Sequence, residues 1–412
     1  MSNFYQRFRS EMAAGGAVDE HGEANGSGRT VGVVMLALLA WLAVSGTWTF
    51  VFVVGLIVSV FLHEVGHFST ARLTGMKSTQ FFMGFGPRVW SRTRGEVEYG
   101  VRALPLGAFV RIVGMNNLDE VDPGDEERAY RSKSYPRKLL VITAGSLMHM
   151  VIALVLFVGV YVAAGREQNT GSVVIKDLAA QDGPAFDAGL RMGDVIVEIG
   201  GRAVTSYDSM VEAITSRAPG ESVDVRFERD GEVSTVPVVM GQNPATPSKA
   251  YLGVYADDVA WVRLSPVTAV REAVSDIGST AAGSVKGVVV ALNPLNSIRH
   301  LTDDAASLET RPTTIVGVSQ VGGDIGRTDG WKGVLLLLAS VNVFVGIFNM
   351  FPLLPFDGGH AAIATYERIR SRRGERYVAD ISKMVPVATG VVGLLAILLL
   401  TGLWLDITRP LG

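Results

Sequence analysis

Residues 49–70 read TFVFVVGLIVSVFLHEVGHFST. The first twelve, Thr49 to Val60, carry no charge, and the next ten hold His63, Glu64 and His67. In a helix, positions four apart share one face a turn apart, so both imidazoles reach one ion while Glu64 points beside it. A carboxylate in that place suits a general base acting on metal-bound water. This run continues an apolar stretch that starts at Val31, long enough to lie in a bilayer, where ionisable side chains are costly and default to function. A hydrolytic zinc site needs three protein ligands and one open position. This stretch supplies two, so the third must come from elsewhere.

The totals narrow the search. The chain has 412 residues, 48% of them hydrophobic, and a mean hydropathy of +0.31, too apolar for an ordinary soluble protein. A formal net charge of −3 gives no reason to expect nucleic acid as a partner. There is no cysteine, so any metal relies on His, Asp or Glu. The histidines are His21, His63, His67, His149, His300 and His360.

Four apolar stretches are long enough to span a bilayer, which takes about 20 residues: Val31–Val60, Leu139–Ala164, Val334–Phe356 and Met384–Leu405. The first is longer than one span needs and is interrupted at Ser45-Gly46, so it is read either as two helices turning there, with an extra N-terminal helix over 31–46, or as one long, tilted helix with a frayed start; the first reading is favoured. Twelve Lys and Arg lie between the first and second stretches, and six between the third and fourth. By the positive-inside rule both connections are cytoplasmic, and parity then puts the segment from about 165 to 330 outside.

The expected divisions follow. Residues 1–30 (with GGAVDEHGEANGSG) form a disordered tail holding His21. Residues 31–73 are the N-terminal membrane segment or segments with the His-Glu helix. Residues 77–114 are β-rich, with a turn at Arg94-Gly95. Non-helical backbone beside a membrane is tolerated against protein or a wet cavity, so this is read as a membrane-associated β-loop. A charged loop follows over 115–137, then the second core helix over 138–164. Residues 170–258 hold a small α+β domain. Residues 265–330 form a linker with an amphipathic helix (about Pro266 to Val290) and polar loops. The third core helix covers 331–360 and the fourth 384–405. His300 is read as a surface residue, and neither it nor His360 as a ligand.

The stretch A-G-L-x-x-G-D-x-I at 188–196 resembles the PDZ family, in the permuted bacterial order. That resemblance implies a peptide-carboxylate loop at Tyr251, Leu252, Gly253 and Val254, and a groove that takes an added β-strand.

The outstanding third ligand is Asp357, in NMFPLLPFDGG (349–359). Pro352 and Pro355 break the helix there, and broken backbone at membrane depth is expected where it lines a site. His63–His67 and Asp357 reach the same side at similar depth. The pair HExxH and N-x-x-P-x-x-P-x-D-G, with GFGP (84–87) and PLGAFV (105–110), resembles the site-2 protease family of intramembrane zinc metalloproteases. The likeness covers about Thr49 to Leu405 and is nearest the single-PDZ, regulated-proteolysis branch of actinobacterial type. The resemblance implies a polytopic α-helical membrane protein: four core transmembrane helices, a cytoplasmic membrane-associated β-loop and an inserted extracytoplasmic PDZ domain, to which the run over 31–46 would add an extra N-terminal helix if it spans.

It also implies one zinc per chain on His63, His67 and Asp357, with Glu64 catalytic, and Asn349, Gly84, Gly86 and Gly107 near the substrate strand. Implied substrates are single-span membrane proteins such as anti-sigma factors, cut after a first-site cleavage at the bacterial cell membrane, with a peptide or substrate stub at the PDZ groove. One departure stands out. Where the family often has G-P-x-x-N, this chain has Gly145-Ser146-Leu147-Met148-His149. Two roles stay open for His149, bonding substrate or the tetrahedral intermediate, or packing between helices. Two other functions stay open as well, a PDZ-bearing membrane scaffold with a non-catalytic metal site and a metal transporter. Loss of Glu64 would mark the first, but Glu64 is present; a path of polar residues across the membrane would mark the second, whereas the ionisable groups here cluster at one depth.

Overall fold

The computed structural model describes residues 26–115, 119–179, 183–302, 310–371 and 377–410. The expected tail of residues 1–30, with His21, lies outside these up to residue 25. Two compact units emerge, one containing the long helices and one covering Tyr161–Ser265.

In the helical unit, α1 (Gly26–Ser45) and α2 (Thr47–Leu73) meet at Gly46, whose φ of −153° and ψ of 70° leave helical geometry. Gly28 and Gly32 of α1 lie against Pro87–Val89 of strand β1 (Ser78–Arg94). Phe81 of that strand packs on Phe61 and Phe68 of α2. One continuous helix could not reach both, because residues 28 and 61 would be about 50 Å apart at 1.5 Å per residue. The chain therefore folds back at Gly46. Residues 26–30, expected in the tail, are instead the first turn of α1, where the packing against β1 extends the helix beyond the apolar run.

β1 pairs antiparallel with β2 (Val97–Ile112), and Arg94 faces Val97 across the turn. Register shifts between Met83 and Trp90 bulge the hairpin. Beyond it the charged loop is tied down. Lys77 Nζ is 2.5 Å from Asp125 Oδ2, and Tyr130 is buried with Val141 and Ile142. Arg128 grips Glu96 through both guanidinium nitrogens at 2.7 Å, which holds the Glu96 carboxyl below its ordinary range.

Helix α3 (Tyr135–Ala163) leads into the second unit. There β3 (Arg166–Leu178), α4 (Pro184–Asp187), β4 (Val195–Ile199), β5 (Arg202–Ala203), α5 (Tyr207–Thr215), β6 (Ser222–Arg229), β7 (Glu232–Val239), the short pair β8 (Gly241–Gln242) and β9 (Ala250–Tyr251), and β10 (Val254–Val262) follow in order. The main sheet runs β10-β3-β4-β6-β7, with antiparallel neighbours and β10 at an edge. Ser206 caps α5 in a capping box with Ser209. The core gathers Val173, Ile175, Leu190, Ile196, Val225 and Leu252. Asp194, from the A-G-L-x-x-G-D stretch, is buried and accepts from Arg191 N–H and from Arg229 at 2.7 Å.

After this unit come α6 (Pro266–Ala291), α7 (Pro294–Thr302), α8 (Ile315–Asn349), α9 (Asp357–Arg370) and α10 (Val385–Thr408). Among the described residues five helices are long and apolar enough to cross a membrane: α1, α2, α3, α8, and α10 with the turn before it.

Three expectations are corrected here. Residues 315–329 are helical, not polar linker; Gly322, Gly323 and Gly326 let this helix lie against Phe52, Thr49 and Trp48. At Gly330, with φ +66° and ψ −153°, the backbone turns sharply and Gly333 comes against Ile325. The third core helix therefore ends at Asn349, and Asp357 heads a separate helix, because Pro352 and Pro355 cannot continue the first. Finally, His300 is buried and bonds Thr310 Oγ1 at 3.1 Å.

Asp406 of α10 fastens the start of α8. Its Oδ2 accepts from Thr314 N–H (2.8 Å), Thr314 Oγ1 (2.7 Å) and Gly317 N–H (3.1 Å), and buried Arg311 lies 3.5 Å from Oδ1. Removing one partner of a buried pair strands the other. Asp406→Ala is therefore expected to cost about 3–5 kcal/mol, read as a lowered unfolding midpoint in detergent, while an Arg311→Met/Asp406→Leu pair should lose less.

Candidate metal centre

Three ligand atoms converge where α2 meets the head of α9. His63 Nε2 and His67 Nε2 are 3.1 Å apart, and Asp357 Oδ2 is 3.5 Å from the first and 3.3 Å from the second. The helical four-residue spacing stacks the imidazoles, and the proline-broken segment 350–356 delivers Asp357 as the first residue of α9. Gly358 permits this, because a Cβ there would strike the carbonyls of Met350 and Phe351.

The donor set fits a metal ion. One ligand atom from each of these three residues lies within 4.8 Å of the other two. Asp357 Oδ2 is buried without a hydrogen-bond partner. His67 Nδ1 donates to Val141 O at 2.8 Å, which leaves the Nε2 lone pair facing the cluster. This is the usual arrangement of a metal-binding histidine, with its far nitrogen tied to a carbonyl. Three electron-rich atoms aimed at one point suit a cation between them. Gly145 of α3 leaves room for it, since a Cβ there would collide with His67 Nε2 and His63 Cε1. Glu64 Oε1 lies 4.0 Å from His63 Nε2, beside the cluster, and the Val110 backbone N–H of β2 reaches its carboxylate.

The remaining expected site residues are placed as follows. His149 is fully buried, with its ring centroid 4.9 Å from that of His63. Asn349 is half-buried at the last position of α8. Gly84, Gly86 and Gly107 belong to the hairpin, where their nearest neighbours are Leu104 and Phe85 rather than the ligands. In the second unit Tyr251 ends β9 and Val254 opens β10. Leu252 is a core side chain, and the carbonyls of Leu252 and Gly253 are taken by Ala185 N–H and Ala179 N–H. Both carbonyls and the Leu252 side chain are thus engaged within the unit.

Sequence reasoning passed over Val141, since a backbone carbonyl leaves no motif, and quoted Gly145 in the G-P-x-x-N comparison without giving it a role. It also passed over Asn342, for which a signal existed. An amide seven residues before Asn349, two turns back on an apolar helix, shares its face.

A family model described as peptidase family M50 matches residues 51–393. The chain belongs to peptidase family M50. The zinc metalloprotease Rip1 of Mycobacterium tuberculosis is 32% identical over 393 residues, covering 87% of this chain and 97% of that one. Its namesake in Mycolicibacterium smegmatis is 33% identical, covering 88% and 97%. A putative zinc metalloprotease of Clostridium perfringens is 26% identical, covering 75% and 85%. The crystal structure of the PDZ domain of an SdrC-like protein from Listeria monocytogenes is 22% identical, covering 21% of this chain and 87% of that one, with a TM-score of 0.19. This M50 peptidase is a zinc metalloprotease of the site-2 type and a polytopic helical protein, and His63, His67 and Asp357 form the group able to hold its metal.

Proposed function

We propose that this M50 peptidase cuts peptide bonds in or near the transmembrane segments of single-span membrane proteins, with Glu64 as the catalytic carboxylate and one zinc on His63, His67 and Asp357. The observation that carries the reading is the convergence of these three ligands, with Glu64 beside them, at the end of an uncharged helix. When bound, the metal supplies Lewis-acid polarisation of the scissile carbonyl and acidifies water. Glu64 takes the water's proton and passes it to the leaving amine. A helical substrate hides its carbonyls in its own hydrogen bonds, so it must unwind before it can be cut. The β1–β2 hairpin borders Glu64 through Val110 and supplies a strand edge for the unwound segment.

The unit Tyr161–Ser265 is read as a PDZ domain. Edge strand β10 and helix α5 flank the groove, and a peptide or substrate stub is its ligand. The enzyme is placed in the bacterial cell membrane with the metal towards the cytoplasm and the PDZ unit outside. Anti-sigma factors already shed of their outer domains are the proposed substrates. The test compares membrane proteomes of cells with the wild-type enzyme and with Glu64→Gln. Truncated single-span proteins should accumulate in the variant; identical proteomes would sink the substrate class.

A further inference from the structure

Three buried polar side chains, from three helices, form a chain that ends beside the metal cluster. Ser59 of α2 donates its hydroxyl to Gly55 O at 2.8 Å. Asn342 of α8 donates through Nδ2 to Leu338 O at 2.8 Å and to Ser59 Oγ at 3.1 Å. His149 of α3 places Nδ1 2.8 Å from Asn342 Oδ1. Their exposures of 3%, 1% and 2% set them away from bulk solvent.

The polarity of this chain decides where the His149 ring proton sits. The Leu338 carbonyl can only accept, so the Asn342 amide nitrogen faces it and the amide oxygen faces His149. That oxygen has no proton to give. His149 is therefore the donor, its proton is on Nδ1, and in the neutral ring Nε2 is a bare lone pair. Among the described residues no protein group is hydrogen-bonded to that Nε2. Such a nitrogen accepts hydrogen bonds and has none to donate to a developing oxyanion, which removes one of the roles open to His149.

The surroundings point to what it accepts. An extended peptide paired to the hairpin along one edge turns the N–H groups of its other edge towards the helices. A backbone N–H left unpaired in a buried site is costly. We propose that Asn342 is a positioning residue which holds the His149 proton on Nδ1, so that Nε2 receives a backbone N–H of the peptide being cut. This rests on the reading of the site as a peptidase centre. Asn342 touches no substrate and acts through His149.

The test uses the full-length protein in detergent, labelled with 15N-histidine, zinc-loaded and zinc-stripped. Long-range 1H–15N correlation, assigned with His149→Gln, should show His149 protonated on Nδ1 alone. Asn342→Leu should admit the Nε2-protonated ring with wild-type zinc content. Ser59→Ala should keep the wild-type tautomer, because Leu338 O still orients the amide, and it serves where Asn342→Leu fails to fold. Kinetics would use a synthetic transmembrane peptide and versions in which one backbone N–H near the scissile bond at a time is replaced by an ester oxygen.

For one of these esters the wild type should lose about tenfold or more in kcat/KM, the scale of other supporting-residue effects. Asn342→Leu and His149→Leu should lose as much on the amide and nothing further on that ester, a coupling that a merely structural role would not produce. A wild-type ring protonated on Nε2, or ester penalties unchanged in the variants, would overturn the role given to Asn342. Absence of cleavage by a zinc-loaded wild type would instead sink the peptidase reading, with the tautomer measurement still standing.

Discussion

Glu64→Gln is expected to keep one zinc per chain and lose about 10²–10⁴-fold in cleavage rate, the usual contribution of a positioned general base. Glu64 sits beside the cluster rather than in it, with its nearest oxygen 4.0 Å from His63 Nε2. The amide keeps the shape and still meets the Val110 N–H, but it cannot take a proton. Metal analysis and a cleavage assay on the same purified sample decide the matter. Loss of zinc in this variant would make Glu64 a ligand. Unchanged cleavage would remove it from the mechanism.

The second large effect is expected where there is no side chain at all. Gly145→Ala directs a methyl group at His63 and His67 on the side where the metal must sit. The alternative, moving α3 away, pulls the Val141 carbonyl off His67 Nδ1 and loosens that ring. By either route zinc affinity should fall on the order of tenfold to a hundredfold, and cleavage with it. Titration of the stripped variant with zinc measures the affinity directly. Asp357→Asn should weaken zinc as well, but by lowering ligand charge, so excess zinc should restore more of its activity than that of Gly145→Ala. Equal zinc affinity in Gly145→Ala and wild type would place the metal elsewhere.

Much of this was legible in the sequence because the decisive features are local. The uncharged run before His63, the four-residue spacing and the prolines around Asp357 each act within a turn or two of helix. The β-rich stretch and the A-G-L-x-x-G-D segment were legible for the same reason, the latter because buried Asp194 closes its own turn. What escaped depends on neighbours. Residues 315–329 carry glycines, Asp324 and Arg327 and read as loop. Their helix is specified by close approach to Trp48, Thr49 and Phe52, where small residues replace an apolar pattern. His300 read as surface because its partner, Thr310, lies ten positions away, where helical periodicity gives no signal. Asn342 escaped because its meaning depends on a histidine 193 positions away.

His63 and Asp357 stand almost 300 positions apart, so the centre cannot exist until both ends of that interval are in the membrane. During synthesis the early helices, the hairpin and the unit Tyr161–Ser265 all emerge while the third ligand is still unmade. A nascent or truncated chain ending before α9 has only the two histidines of the proposed centre, and is expected to hold metal weakly and to hydrolyse nothing. An enzyme that cuts helices inside a bilayer is thus harmless to its translocation machinery and to its own half-inserted segments, and is armed only when its later helices are seated.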